Sequence, residues 1–227
     1  MNTSPDIAVR GIGWLDDAAY GAVYRHEQVR YSAAPDAPPP WKRLELWGYP
    51  ARNLGRFDAL TRMTCTACAL ALWDAGETTT AGAKRNVGLL GTNAAGSLAA
   101  NRAYFQDYVA AGRTSGRGNL FIYTLPTSPL AEASIHFGLQ GPLVYVGFPK
   151  QELQQLLTCG AQMIVAQTLP GLLVVRAEAG EAVSFLLAPA PAGAGTLAPF
   201  LRLCEEPQRV RDMAARWAQM AGAKAST

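Results

Sequence analysis

The feature that most constrains the fold is an alternation of short apolar runs and glycine turns between residues 86 and 147. Residues 86–91 are a brief β-rich run that stops at Gly-Thr-Asn, and from Ala94 onward the apolar spacing becomes that of a helix. Residues 138–142 (GLQGP) predict a turn, and residues 143–146 (LVYV) are predicted to form a buried strand after it. This stretch therefore predicts strand–turn–helix units in succession.

The same alternation continues on both sides of this stretch. Residues 7–12 are a first strand candidate, and apolar side chains three and four apart predict a helix over residues 56–75, ended by Gly76. Further helices are predicted over residues 94–111, 128–137 and 150–167, with a loop over residues 113–125. Residues 172–175 and 182–187 are predicted strands, close enough to form an antiparallel hairpin. This order predicts an α/β fold with a mostly parallel, helix-covered sheet.

Composition supports one substantial core. The chain has 227 residues, of which 49% are apolar and 16% charged. Residues 14–56 contain Trp14, Trp41 and Trp47, which favours an ordered excursion packed on the domain. Residues 189–199 are rich in Pro, Ala and Gly, so we expect one domain over residues 1–190, then a flexible loop and a C-terminal helix over residues 191–227.

Charge and hydropathy exclude several classes of function. The formal net charge is +3 and the basic residues are dispersed, so nothing demands nucleic acid or a membrane surface. The N-terminus lacks the pattern of a signal peptide, and no apolar run approaches the length of about 18 residues that a membrane span needs. We therefore expect a cytoplasmic protein with no membrane span.

The four cysteines do not predict a metal or redox centre. Cys65 and Cys68 form a C-x-x-C pair, but they fall within the helix predicted over residues 56–75, where small residues pack in a core. A redox pair favours a helix N-terminus, and zinc needs more ligands than two cysteines supply. No cofactor and no metal are expected.

The order of motifs resembles a known family. The succession VG-x-x-GT, helix, FGL-x-GP, strand, helix is similar to the N-terminal half of a β-ketoacyl synthase of the thiolase-like fold. Residues 55–76 resemble the helix that precedes the GT strand in that family, so the likeness spans roughly residues 55–190. The resemblance implies a five-stranded, mostly parallel sheet whose last strand is antiparallel, with one face left to pack against a second half.

Departures from the family pattern bear on catalysis. The resemblance implies a nucleophilic cysteine just after the strand at residues 143–146, but Lys150 or Gln151 occupies that position here. The family's two catalytic histidines belong to a second half, and no histidine follows residue 190. Gln151 resembles the glutamine that substitutes for the lost cysteine in chain length factors. Alternatively, Gln151 and Glu152 are ordinary polar residues of a first helical turn. We therefore expect a protein that is not an enzyme.

The resemblance also implies a tunnel and an interface. In ketosynthase-like dimers the helix after the GT strand gates a buried acyl tunnel, and Ala100, Tyr104 and Tyr108 share one face of that helix by their spacing. Interior packing is the alternative role for these three residues. The following strand pairs with its mate across a two-fold axis in the family. The residues that this assigns to an interface are Leu143, Val144, Tyr145, Val146 and Gly147.

Taken together, the resemblance implies a non-catalytic, chain-length-factor-like subunit. Its partner would be a full-length ketosynthase in a heterodimer, visited transiently by an acyl carrier protein, in type II fatty-acid or polyketide (aryl-polyene-like) biosynthesis. Two alternatives stay open. One is an acyl-thioester-processing enzyme that uses Cys159 or His136, and the other is a stand-alone homodimeric scaffold or binding protein.

Overall fold

A mixed seven-stranded sheet forms the centre of the protein. The computed structural model describes residues 6–30, 42, 44–47, 54–77, 80, 82–148, 152–178, 180–190, 197–204 and 209–224. Its strands are β1 (Ile7–Asp16), β2 (Ala19–Ala22), β3 (Glu27–Arg30), β4 (Gly88–Thr92), β5 (Leu143–Tyr145), β6 (Leu172–Glu178) and β7 (Glu181–Pro189). Its helices are α1 (Leu44–Trp47), α2 (Ala59–Asp74), α3 (Leu98–Ala110), α4 (Gly118–Phe121), α5 (Ser128–Phe137), α6 (Glu152–Gln167), α7 (Ala198–Leu203) and α8 (Val210–Lys224).

The strand order is β3-β2-β1-β7-β6-β4-β5. β4 pairs in parallel with both β5 and β6, whereas β7 is antiparallel to β1 and to β6. The predicted antiparallel last strand is thus confirmed, as is the α/β fold. The predicted sheet of five mostly parallel strands is wrong, because the sheet is mixed and has seven strands in the described part of the chain. Residues 19–30, predicted to belong to an ordered excursion packed on the domain, supply the strands β2 and β3 in antiparallel pairing next to β1.

The first sheet face carries α2 and α5. Gly11 and Gly13 of β1 let α2 lie directly on the strand, since a Cβ on Gly13 would come within 2.3 Å of the Ala71 nitrogen. Cys65 and Cys68 are fully buried in this helix, as the sequence predicts. Trp14 and Trp47 are also buried, while Trp41 lies outside the described residues.

A buried carboxylate links the end of α2 to the sheet by hydrogen bonds. Asp74 accepts hydrogen bonds from the N–H groups of Ile12 (2.7 Å) and Arg25 (2.9 Å), one on each carboxylate oxygen. Burial raises the pKa of Asp74, and these backbone donors offset part of that effect. One side chain therefore holds α2, β1 and the β2–β3 turn in place.

The second sheet face carries α6, α7 and α8. Trp217 of α8 is fully buried, with its ring centroid 5.0 Å from that of Phe185 on β7. The Arg211 guanidinium donates to both carboxylate oxygens of Asp16, at 2.9 and 2.8 Å, which ties α8 to β1. The expectation that this face would stay open for a second half is wrong, because α7 and α8 cover it beside α6.

Two further differences concern local structure. The predicted loop over residues 113–125 contains α4 and a 3₁₀ turn (Ile122–Thr124). The strand predicted to be buried is β5, which is only half-buried because it lies at the edge of the sheet.

Replacing Trp217 with alanine tests whether α8 belongs to the core. Removing a fully buried indole leaves a cavity against β7, so we expect Trp217→Ala to lower the free energy of unfolding by about 3–5 kcal/mol. Gln219→Ala, at an exposed position of the same helix, is the control and should change it by less than about 0.5 kcal/mol. Urea unfolding followed by circular dichroism measures both. Equal effects of the two substitutions would show that α8 does not contribute to the core.

Candidate functional site

Three residues from separate strands meet where the parallel strands end. Asn93 follows β4, Tyr145 ends β5 and Glu178 ends β6. The Tyr145 hydroxyl donates to the Asn93 carbonyl oxygen at 3.2 Å, and the Ala94 N–H donates to Glu178 Oε1 at 2.7 Å. The carboxyl ends of parallel strands meet at one sheet edge, where α/β proteins commonly place their ligands. This edge is therefore a candidate ligand site.

A cavity of about 420 Å³ adjoins this edge. It lies between the first turns of α2, the inner side of α3, the segment before α5 and the β6–β7 turn. Its walls are mainly apolar, and they include Leu60, Met63, Ala100, Ala103, Leu125 and Pro129. The charged residues that line it, within the part of the chain that the structure describes, are Asp58 and Glu178.

The cavity is covered by residues 98–125, which comprise α3, α4 and the 3₁₀ turn and which we call the flap. α3 has no buried residue. The flap is held together internally by the Tyr104 and Phe121 rings, 5.5 Å apart, and by an ion pair between Asp107 and Arg117. The Ser97 hydroxyl, just before α3, donates to the Thr124 carbonyl oxygen at 2.5 Å. Tyr123 anchors the flap to the domain, because its side chain is buried and its hydroxyl donates to the Arg56 carbonyl oxygen at 3.3 Å. The flap is therefore a small unit that rests on the domain with one buried anchor.

The flap exposes large apolar side chains. Six of them are between 40% and 62% exposed: Leu98, Phe105, Val109, Phe121, Ile122 and Leu125, the last of which also lines the cavity. Elsewhere in the described chain, the large apolar side chains with comparable exposure are Ile135 and Val165. Leu98, Phe105 and Val109 share one face of α3 by their spacing, and contiguous apolar exposure commonly marks an interaction surface.

The predicted tunnel residues lie on the flap but do not share one cavity. Ala100 lines the cavity. Tyr104 is half-buried against Phe121, and Tyr108 is also half-buried, but neither is among the residues that line the cavity. Their role toward a partner's tunnel stays a prediction.

The predicted interface residues lie at the edge of the sheet. β5 pairs with β4 on one side, and no described strand pairs with its other side. Residues 143–146 are half-buried and Gly147 is exposed. Lys150 and Gln151, the candidates for the position of the lost nucleophile, lie outside the described residues.

Cys159 and His136 do not come together. Cys159 is half-buried in α6 and packs with the core on the second sheet face. His136, in α5, lies on the first face with its ring 5.7 Å from Trp47 and 5.5 Å from Phe57. A thiol nucleophile and its base need hydrogen-bond contact. These two residues, on opposite faces of the sheet, do not form such a pair.

The strand-end cluster has an acidic character. Burial raises the pKa of Glu178, and the nearby carboxylates of Glu152 and Glu181 add to that effect. Burial also raises the pKa of Tyr145, as do Glu178 and Glu152. Sequence reasoning did not bring Asn93 and Glu178 together. Asn93 lies two residues beyond the strand predicted over residues 86–91, and Glu178 lies three residues beyond the strand predicted over residues 172–175. Their positions just after predicted strands were the available signal.

Other kinds of site find no support among the described residues. No group of three or more His, Cys, Asp or Glu side chains there is arranged to hold a metal ion. None of the helices in that part of the chain is long and apolar enough to cross a membrane.

Solved structures with this fold are found among ketosynthases. No family model matches the sequence, and no curated protein is significantly similar to it. The ishigamide ketosynthase/chain length factor matches with a TM-score of 0.59 and 16% identity, over 84% of this chain and 64% of that chain. AntDE:AntF, a type II PKS acyl-carrier protein in complex with its ketosynthase, matches with a TM-score of 0.56 and 10% identity, over 82% and 59%. The ketosynthase ApeO with its chain length factor ApeC, from Xenorhabdus doucetiae, matches with a TM-score of 0.51 and 15% identity, over 82% and 80%.

These matches show the fold. The chain has the thiolase-like fold of ketosynthases and chain length factors, as its motif order predicts. It spans less than two thirds of the length of the first two structures named.

Proposed function

We propose that this chain is a non-catalytic, chain-length-factor-like subunit that pairs with a full-length ketosynthase. The heterodimer would serve type II fatty-acid or polyketide (aryl-polyene-like) biosynthesis in the cytoplasm, with an acyl carrier protein as a transient partner. The open edge of β5 is the observation that carries this proposal. Two of the similar structures are described as a ketosynthase/chain length factor and as a ketosynthase in complex with its chain length factor, which supports it.

The backbone of β5 offers hydrogen bonds to another strand. The Leu89 N–H donates to the Pro142 carbonyl oxygen, and the Val146 N–H donates to the Gly91 carbonyl oxygen. The backbone N–H and C=O groups of the even-numbered residues of this strand therefore point toward β4. Because successive residues of a strand point their backbone groups in opposite directions, the N–H and C=O groups of Leu143 and Tyr145 face the open edge. Such an edge is a template for pairing with another chain.

The flap supplies the apolar area that a stable interface needs besides backbone hydrogen bonds. It follows β4, the strand next to β5, and presents six exposed large apolar side chains. The second sheet face does not offer an equivalent surface, because α6, α7 and α8 cover it. A partner that paired with β5 and covered the flap would bury the main exposed apolar surface of the described chain.

The cysteines support a role without covalent catalysis. Residues 148–151 are Phe, Pro, Lys and Gln, so Lys150 or Gln151 takes the place of a nucleophilic cysteine. Burial raises the pKa of Cys68 and of Cys204 to about 12, and raises that of Cys65 well above its usual value. Buried thiols of this kind are poor nucleophiles.

A second copy of the chain is the alternative occupant of the β5 edge. An edge strand on a two-fold axis pairs with its own copy as readily as with a related chain. The stand-alone homodimeric scaffold is therefore the second candidate function, and the partner that is recovered decides between them.

The isolated chain should not condense acyl and malonyl thioesters of an acyl carrier protein, since it lacks the cysteine that would carry the acyl group. Mass spectrometry of the carrier-protein species measures this, with an active full-length ketosynthase as the positive control. Neither Lys150→Cys nor Gln151→Cys should restore activity. Condensation by the wild-type chain that is lost in Cys159→Ala would establish the enzyme alternative instead.

Leu143→Pro should disrupt pairing at the edge of β5. It removes an N–H that faces the edge and leaves the hydrogen bonds between β5 and β4 intact. Leu143→Ala is the matched control, because it shortens the same side chain but keeps the N–H. Purification of the tagged chain from its own cells should recover a ketosynthase with wild type and with Leu143→Ala, and much less with Leu143→Pro. A wild-type chain that sediments as a monomer and recovers no ketosynthase would refute the pairing.

Tyr104→Ala tests the predicted tunnel role. If Tyr104 limits the space for a growing chain at the interface, its truncation in the complex should lengthen the products, while Gln106→Ala on the same helix should not. If Tyr104 only packs against Phe121, the variant should lower the melting temperature and leave product length unchanged. Product mass distribution and thermal unfolding, measured on the same samples, separate the two outcomes.

A further inference from the structure

We infer that the cavity beneath the flap is a ligand site within this chain, which takes an uncharged apolar molecule that carries a hydroxyl or amide donor and excludes the corresponding carboxylate. A long-chain alcohol or primary amide represents this class. The site lies inside one chain and needs no partner, so it goes beyond the proposed pairing with a ketosynthase.

The size and the walls of the cavity fit such a ligand. Its volume of about 420 Å³ is within the range of small-molecule sites. The walls are formed by aliphatic, alanine and proline side chains from α2, α3 and the segment before α5, which favour a hydrocarbon body. Small residues on the inner side of α3, namely Ala99, Ala100 and Ala103, leave the space unfilled.

One wall of the cavity contains a buried polar side chain. Asn93 lines the cavity and is only 7% exposed, and its Oδ1 has no hydrogen-bond partner among the described residues. The backbone carbonyl oxygen of Asn93 accepts from the Tyr145 hydroxyl, whereas the side-chain Oδ1 accepts from no described residue. Oδ1 is itself buried in the structure, so the amide must turn about its terminal torsion, which is soft, to present this oxygen to a donor in the cavity. A buried acceptor without a partner costs stability, and a ligand O–H or N–H would remove that cost.

The charges around the cavity select against an anion. Asp58 and Glu178 are both acidic, and no lysine or arginine is among the described residues that line the space. Asp58 already caps α2 through the Thr61 N–H at 2.8 Å, and Glu178 accepts from Ala94. Glu152 and Glu181 lie near Glu178, and Arg176, a described cation that also acts on Glu178, is paired with Glu181 at 2.5 Å. A ligand carboxylate would therefore be desolvated without a cation to pair with it.

Decanol and decanoate are the matched probes, since they differ only in the head group. Displacement of Nile red from the isolated chain is measured at about pH 8, above the range in which carboxyl groups usually titrate. We expect decanol to bind at one site at least about tenfold more tightly than decanoate, because the anion alone must be buried unpaired. Equal binding of the two, or no binding of decanol, would overturn the inference.

Substitutions of the lining residues test whether decanol binds in the cavity. Ala103→Trp, which fills the space from α3, should abolish decanol binding, and Gln106→Trp at an exposed position of the same helix should leave it unchanged. Asn93→Ala should weaken decanol several-fold. Retention of full affinity in both Ala103→Trp and Asn93→Ala would place the ligand elsewhere and refute the site.

Glu178→Gln provides a test that does not depend on loss of binding. Glutamine keeps an acceptor for the Ala94 N–H but removes the negative charge. The variant should bind decanoate several-fold more tightly than wild type does, with little change for decanol. An unchanged ratio of the two affinities would show that Glu178 does not set the preference for an uncharged ligand. All of these measurements use the chain alone, so failure to find a ketosynthase partner leaves their outcome unaffected.

Discussion

The structure depends on the direct contact between α2 and β1. Gly11 and Gly13 bring the helix so close that a Cβ at either position would collide with the helix around Ala71. With α2 fixed at this distance, Asp74 at its last turn reaches the backbone of β1 and of the β2–β3 turn. The first turns of the same helix form one wall of the cavity at the other end. A single close contact therefore positions both the N-terminal strands and the candidate site.

The distribution of buried and exposed apolar side chains follows from how each sheet face is covered. α2 and α5 close one face, and α6, α7 and α8 close the other, with Trp217 fully buried against β7. Within the described residues, β3 and β5 lie at the two edges of the sheet, and the flap carries six exposed large apolar side chains. The chain thus completes its own core and still exposes apolar side chains on the flap, as proteins do at interaction surfaces.

Local signals made much of the fold predictable. Gly76, Gly112 and Gly138 adopt positive φ at the ends of α2, α3 and α5, as a glycine just past a helix should. The β6–β7 hairpin and α6 likewise follow from their apolar spacing. β2 and β3 escaped prediction because they are only four residues long, and β3 alternates between half-buried and exposed positions. The covering of the second face by α8 depends on long-range contacts to Phe185 and Asp16, which no local pattern reveals.

The candidate site was less predictable than the fold. Asn93, Tyr145 and Glu178 are far apart in sequence and meet only because β4, β5 and β6 are neighbours in the sheet. The cavity is a space between elements, so its position depends on how far α3 stands from α2. Periodicity placed Ala100, Tyr104 and Tyr108 on one helix face, but it could not show that Ala100 alone of these would line the cavity.

The flap is a layer one helix thick, and both of its sides are apolar. An α-helix with its side chains is roughly 10–12 Å across, so that is the distance between the cavity and whatever touches the outer side. Since α3 buries none of its own residues, small shifts of this helix encounter little resistance from the core. Outer contact area and inner cavity volume are therefore set by one element, and neither can change independently of the other.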